Sequence, residues 1–171
     1  MKYTFLLKSL GCKVSQYDGI RIAEYLSGCG LRQAGEGETP DLYILNGCAV
    51  TGRASQKVRQ ALRAIRRRWP SVKLVLAGCE ARLAEKRAPE EGDEPAVEID
   101  GALPYATPPA VRELLEHLDL LRPDIPDAGD EAHVPEELIG SERTRAFLKI
   151  QDGCSQFCAY CIVPHLRGPE T

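Results

Sequence analysis

Residues 41–79 have the sequence DLYILNGCAVTGRASQKVRQALRAIRRRWPSVKLVLAGC. Two apolar runs, residues 41–46 and 72–77, flank a helical pattern over residues 51–68. The apolar residues of that pattern recur at intervals of three and four, as in a helix that buries one face against a sheet. They are Ala54, Val58, Leu62, Ile65 and Trp69. This order of strand, helix and strand predicts a parallel sheet with a crossover helix.

The same alternation continues through the first 120 residues and predicts an α/β fold, an open parallel sheet with helices on both faces. Further strands are predicted at residues 3–9 and 97–99, with a weaker one at 31–34. Further helices are predicted at residues 16–27, 80–87 and 109–120. Residues 121–142 are rich in Pro, Asp and Glu and lack periodicity, so we interpret them as a linker. Residues 144–150 alternate and predict a strand that begins a second domain over 143–171.

Charge is segregated along the chain. Residues 42–79 contain eight Lys and Arg and no acid, whereas residues 85–142 contain seventeen acids and four bases. The basic helix over residues 53–68 suits either an RNA backbone or an ordinary solvated helix face, and the sequence leaves both open. The apolar run near the amino terminus is interrupted by Lys8 and is too short for a secretion signal, so we expect a cytoplasmic protein that does not enter a membrane.

Three cysteines lie close together in residues 153–164, GCSQFCAYCIVP. Their gaps of three and two residues let one short loop place Cys154, Cys158 and Cys161 around an iron-sulfur cluster, leaving one iron of a four-iron cube without a protein ligand. Zinc is an alternative, because His165 could complete a Cys3His set. A disulfide framework is a weaker alternative, because seven cysteines are an odd number.

Three more cysteines each follow a predicted strand and a glycine: Cys12, Cys48 and Cys79. Because the carboxyl ends of parallel strands line one edge of a sheet, we expect these sulfurs to converge. The preceding glycines would allow a sharp turn and leave room for an inorganic centre. The alternative is that they are ordinary buried cysteines, which is our interpretation of Cys29.

The motif Cys-x-x-x-Cys-x-aromatic-Cys, with Tyr160 in the aromatic place, resembles that of the radical S-adenosylmethionine superfamily. With both cysteine sets, the chain resembles the methylthiotransferases. The branch that acts on threonylcarbamoyladenosine in tRNA is similar in four stretches, which are LGCKVSQYD at 10–18, CAVT with QKVRQ at 48–60, TRAFLKIQDGC at 144–154 and RGP at 167–169.

This resemblance implies a 4Fe-4S cluster held by Cys154, Cys158 and Cys161, where S-adenosylmethionine binds near Tyr160 and yields a radical that takes hydrogen from carbon 2 of the adenine. It implies an auxiliary 4Fe-4S cluster on Cys12, Cys48 and Cys79 that delivers sulfur. A second S-adenosylmethionine supplies the methyl group. The expected partners are tRNA and a flavodoxin-like or similar electron donor, and we expect a monomer.

The resemblance also implies that the radical domain continues beyond residue 171, so we expect this part alone to bind iron without turning over. Two alternatives keep the chemistry and change the substrate to isopentenyladenosine tRNA or a ribosomal protein. An alternative of another class is a non-catalytic iron-sulfur or zinc module that binds RNA.

Overall fold

A computed structural model describes residues 3–86, 97–121 and 149–171. Within them, five strands form one sheet in which every neighbouring pair is parallel, in the order β2-β1-β3-β4-β5. The strands are β1 (Thr4–Leu10), β2 (Arg32–Gln33), β3 (Leu42–Gly47), β4 (Lys73–Gly78) and β5 (Gly101–Leu103). The three central strands carry the apolar runs recognised in the sequence, and all six residues of β3 are buried.

Helices cover both faces of the sheet, as the sequence predicts. They are α1 (Lys13–Gly28), α2 (Gly52–Arg68), α3 (Cys79–Lys86), α4 (Pro108–His117) and α5 (Val163–Arg167). On one face α1 and α4 bury residues such as Leu26 and Leu115 against Ile44. On the other, α2 buries Val58 and Leu62 in a second core. The core stripe expected for α2 from its apolar spacing is therefore present.

The strand predicted at residues 97–99 is wrong in position, because β5 begins at Gly101. Asp100 sets this start. Its backbone amide donates to the Leu74 carbonyl at 2.8 Å, and its carboxylate accepts from Arg66 at 2.7 Å and from the Leu74 amide at 2.8 Å. Val97 and Ile99 pack at the margin of the core instead of pairing.

Other boundaries differ by a few residues, and α5 was not predicted. The strand predicted over residues 144–150 is not confirmed at Lys149 and Ile150, which lie in no strand. The rest of that segment, and residues 122–142 of the predicted linker, lie outside the described residues. Within the ranges that the structure describes, no helix combines the length and apolarity needed to cross a bilayer.

Candidate metal centre

The ends of three neighbouring strands lie in one row. Leu10 of β1 pairs with Gly47 of β3, which pairs in turn with Gly78 of β4. Cys48 and Cys79 come directly after their paired glycines, and Cys12 comes two residues after Leu10. Because neighbouring strands are about 4.8 Å apart, this register brings the backbone of the three cysteines to one edge, whereas the convergence of their sulfurs stays a prediction. We call this row the cysteine edge.

The three thiols of the cysteine edge differ in exposure. Cys12 is exposed, whereas Cys48 and Cys79 are buried. Burial raises the pKa of Cys79, and the nearby Cys48 adds to this, whereas the charges of Arg167 and Arg82 oppose it. A neighbouring cation favours a thiolate, the form in which cysteine binds metal. Burial outweighs the cations, so the pKa of Cys79 is raised overall, and it is the presence of three thiols at one edge that suits a thiolate-bound metal centre.

The glycines before these cysteines work differently from the expectation. A sharp turn is required only at Gly78, whose φ is +76° and where an added Cβ would lie 2.2 Å from Asn46 Oδ1. At Gly11 and Gly47 the corresponding space is already filled by side chains of neighbouring residues. The expectation that these glycines leave room for an inorganic centre is therefore wrong, and they permit close packing beneath the edge.

We predict that Gly78→Ala lowers the free energy of unfolding by about 2–3 kcal/mol. A left-handed backbone costs a residue with a Cβ about 1–2 kcal/mol, and crowding against the buried Asn46 adds to it. Gly37→Ala is the matched control, because Gly37 has a φ of +79° and nothing within 4 Å of an added Cβ. Urea unfolding should show only the backbone cost for this control, and equal losses in both variants would contradict the packing role.

The second cysteine set lies in one loop before α5. The amide of Gln156 donates to Cys154 Sγ at 3.4 Å, and the amide of Cys161 donates to the Cys158 carbonyl at 3.0 Å. Cys158 is exposed, and the other two cysteines are half-buried. An amide directed at sulfur is one of the contacts that tune iron-sulfur clusters, so the donor set suits such a cluster. Tyr160 is 93 % exposed on this loop.

Neither set is closed into a ligand shell. Among residues 3–86, 97–121 and 149–171, no three His, Cys, Asp or Glu side chains form a group that could hold a metal ion. The ring of His165, the fourth ligand of the zinc alternative, packs edge-on against Phe157 with centroids 5.7 Å apart. The structure thus brings each trio of cysteines to one loop or edge without assembling its sulfurs around a point.

Four charged residues join the cysteine loop to the sheet domain. Arg167 donates to Asp18 at 3.0 Å and to Asp152 at 2.6 Å, and Lys149 donates to the same carboxylates at 3.0 and 2.8 Å. We call Asp18, Lys149, Asp152 and Arg167 the charge junction. Burial alone would raise the pKa of Asp152, but the hydrogen bonds from both cations outweigh it and lower the pKa to about 2.

The charge junction also links the two cysteine sets. The charge of Arg167 acts on Cys79 and opposes the rise of its pKa, while the carbonyl of the next residue, Gly168, accepts from the Cys154 amide at 2.9 Å. Leu166, only 2 % exposed, packs with Cys79 in a small apolar cluster. The loop therefore lies against the cysteine edge. Sequence reasoning missed this junction, although Asp18 and Arg167 stand in two of the stretches that carry the family resemblance.

Comparison with known proteins identifies the family. The model of the family described as "Uncharacterized protein family UPF0004" matches residues 4–98, more than half of the chain. The chain belongs to this family. The UPF0004 match contains Cys12, Cys48 and Cys79, so it covers β1 to β4 and the cysteine edge, and it ends before β5 and the cysteine loop.

Relatives of this UPF0004 chain are named as tRNA-modifying enzymes. A tRNA-2-methylthio-N(6)-dimethylallyladenosine synthase of Novosphingobium aromaticivorans is 33 % identical over 168 residues, covering 98 % of the chain and 38 % of the relative. The threonylcarbamoyladenosine tRNA methylthiotransferase MtaB of Chlamydia pneumoniae is 33 % identical over 171 residues, covering 98 % and 37 %. That of Thermotoga maritima is 31 % identical over 169 residues, covering 96 % and 37 %.

These matches confirm the predicted resemblance to methylthiotransferases, and they extend over nearly the whole chain. The chain spans about 38 % of the length of the first relatives it matches. Names for both tRNA nucleosides occur among relatives of similar identity.

Proposed function

We propose that this chain works in a tRNA methylthiotransferase that adds a methylthio group to carbon 2 of threonylcarbamoyladenosine beside the anticodon. The observation that carries the proposal is the register Leu10, Gly47 and Gly78, which aligns the three strand ends followed by Cys12, Cys48 and Cys79. Membership of UPF0004 and the names of the relatives support the general activity.

In this proposal Cys12, Cys48 and Cys79 hold an auxiliary 4Fe-4S cluster, and Cys154, Cys158 and Cys161 hold a second one with S-adenosylmethionine beside Tyr160. Together these groups supply radical chemistry and sulfur at an adenine carbon that has no acidic proton for a base to remove. The chain's own part is to position and shield. Arg167 places a positive charge at Cys79 and, through Gly168, holds the backbone of Cys154.

The choice of threonylcarbamoyladenosine rests on the stretches at residues 10–18, 48–60, 144–154 and 167–169. Isopentenyladenosine tRNA is the competing substrate, because several relatives are named for dimethylallyladenosine, which is the same nucleoside. An adenine modified at N6 is common to both. A ribosomal protein is a third candidate, and the names of the relatives reported above do not favour it. A flavodoxin-like or similar protein would donate the electrons.

Mass spectrometry of tRNA nucleosides tests the proposal. In a strain that lacks the complete gene, we predict that 2-methylthio-threonylcarbamoyladenosine disappears and threonylcarbamoyladenosine accumulates. The complete gene should restore the modification, a Cys154→Ala version should not, and a Cys29→Ala version should, because Cys29 is buried in the core away from both sets. Loss of the isopentenyladenosine product instead would reassign the substrate, and an unaltered nucleoside pool would reject the activity.

A further inference from the structure

The solvent-facing side of α2 is strongly positive. The helix carries seven Lys and Arg and no acid over its 17 residues. Its buried side is apolar, so the charge is displayed to solvent, where Arg53, Lys57, Arg59 and Arg67 are exposed and Arg63 is half-buried. At about 1.5 Å per residue, these side chains follow a helix roughly 25 Å long. We call these five residues the basic face.

Two other arginines of α2 have structural roles and are excluded from the basic face. Arg66 donates to the carbonyls of Pro70, Val72 and Glu98 and pairs with Asp100 at 2.7 Å, which ties the helix to the start of β5. The guanidinium of Arg68 lies 4.5 Å from the ring centroid of Trp69. Arg66 and Arg68 are therefore assigned to the packing of α2 and are left out of the basic face.

The basic face also borders a shallow polar groove of about 380 Å³. It is lined by Gly52, Gln56, Arg59, Gln60 and Arg63. Guanidinium groups bind phosphates with two parallel hydrogen bonds, and glutamine amides both donate and accept, as sugar hydroxyls and base edges require. Such a mixture fits a ribonucleotide strand better than it fits an acidic protein surface, whose carboxylates offer only acceptors.

The direction of α2 relates this groove to the candidate site. The helix starts four residues after Cys48, with Thr51 as its cap, whose hydroxyl accepts from the Ala54 amide at 3.2 Å. Its groove-bearing first turns therefore begin beside the cysteine edge. We propose that the basic face binds the RNA backbone next to the modified nucleotide and directs the strand to the cysteine edge. This inference rests on the proposed function for the choice of RNA.

Salt-dependent binding of a tRNA anticodon stem-loop to the 171-residue chain tests the inference. The logarithm of the binding constant falls as the logarithm of the salt concentration rises. Removing one side chain that contacts a phosphate should make this slope less steep by about 0.7–0.9. For the double variant Lys57→Gln/Arg59→Gln we expect a slope that is less steep by about 1.4–1.8, and we expect binding to weaken several-fold or more. Arg63→Gln/Arg67→Gln should behave in the same way.

The double variant Arg32→Gln/Arg112→Gln is the matched control, because it also removes two positive charges. One lies on the edge strand β2, and the other lies on α4, which covers the opposite face of the sheet. Its slope should stay near that of the unsubstituted chain. An unchanged slope in both α2 variants, an equal change in the control, or no RNA binding by the chain would overturn the inference. The nucleoside analysis of the strain that lacks the gene does not depend on this surface. The proposed function and the role of the basic face can therefore be rejected separately.

Discussion

Replacing Cys48 by alanine is expected to lower the iron content of the anaerobically reconstituted chain from about eight atoms to about four. Cys48 directly follows β3, which lies between β1 and β4, so its loss removes the central thiolate of that set. Cys158→Ala should remove the other four, because its loop is separate in sequence. Iron and sulfide assays measure both.

Cys29→Ala is the control for a buried thiol outside both sets. Cys29 packs in the core beside α1 and is 5 % exposed, so its substitution should leave the iron content unchanged. If Cys48→Ala and Cys158→Ala each removed all the iron, one shared centre would replace the two proposed here. If Cys48→Ala removed none, the cysteine edge would not bind the metal.

Asp18→Asn is expected to release the cysteine loop from the sheet domain. Asp18 pairs with both cations of the charge junction, and the side chains of Asp18 and Arg167 are 9 % and 8 % exposed. Removing one partner of a buried ion pair leaves the other charge uncompensated, which costs about 3–5 kcal/mol. Because Asp152 still faces both cations, we expect a smaller loss of about 2–3 kcal/mol.

Hydrogen exchange in the peptide covering residues 149–171 measures this loss. A loss of 2–3 kcal/mol corresponds to exchange about 30- to 150-fold faster where opening limits protection. Glu116→Gln is the control, since its pair with Arg112 is an exposed contact between neighbouring turns of α4, worth about 0.5 kcal/mol or less. Equal protection in Asp18→Asn and in the control would show that the junction does not hold the loop.

The position of the cysteine edge could be predicted because it requires only that three strands be parallel, and not that their exact register be known. Once residues 3–9, 41–46 and 72–77 are parallel strands, their carboxyl ends must share one edge, and the cysteines that follow arrive there whatever the exact register. The error at residues 97–99 has the opposite cause. Apolar residues favour a strand there, but the hydrogen bonds of Asp100 with Leu74 and Arg66 begin the pairing later, and such a contact has no sequence pattern.

The charge junction could not be predicted for the same reason. Asp18 is 131 positions from Lys149 and 149 positions from Arg167 in the sequence. A single acid or base in a sequence does not indicate which residue will be its partner. The short helix α5 has five residues, fewer than two turns, so it shows no periodicity. The basic face could be predicted in part. Its positive charge is visible in the sequence, but only the structure shows that Arg66 and Arg68 make packing contacts and do not belong to it.

The claim that two separate cysteine trios each hold a four-iron cluster is tested most directly on the unsubstituted chain. Iron, acid-labile sulfide and zinc should be counted per chain after anaerobic reconstitution. We predict about eight irons and about eight sulfides, the content of two four-iron clusters. About four irons, or zinc without sulfide, would contradict the claim.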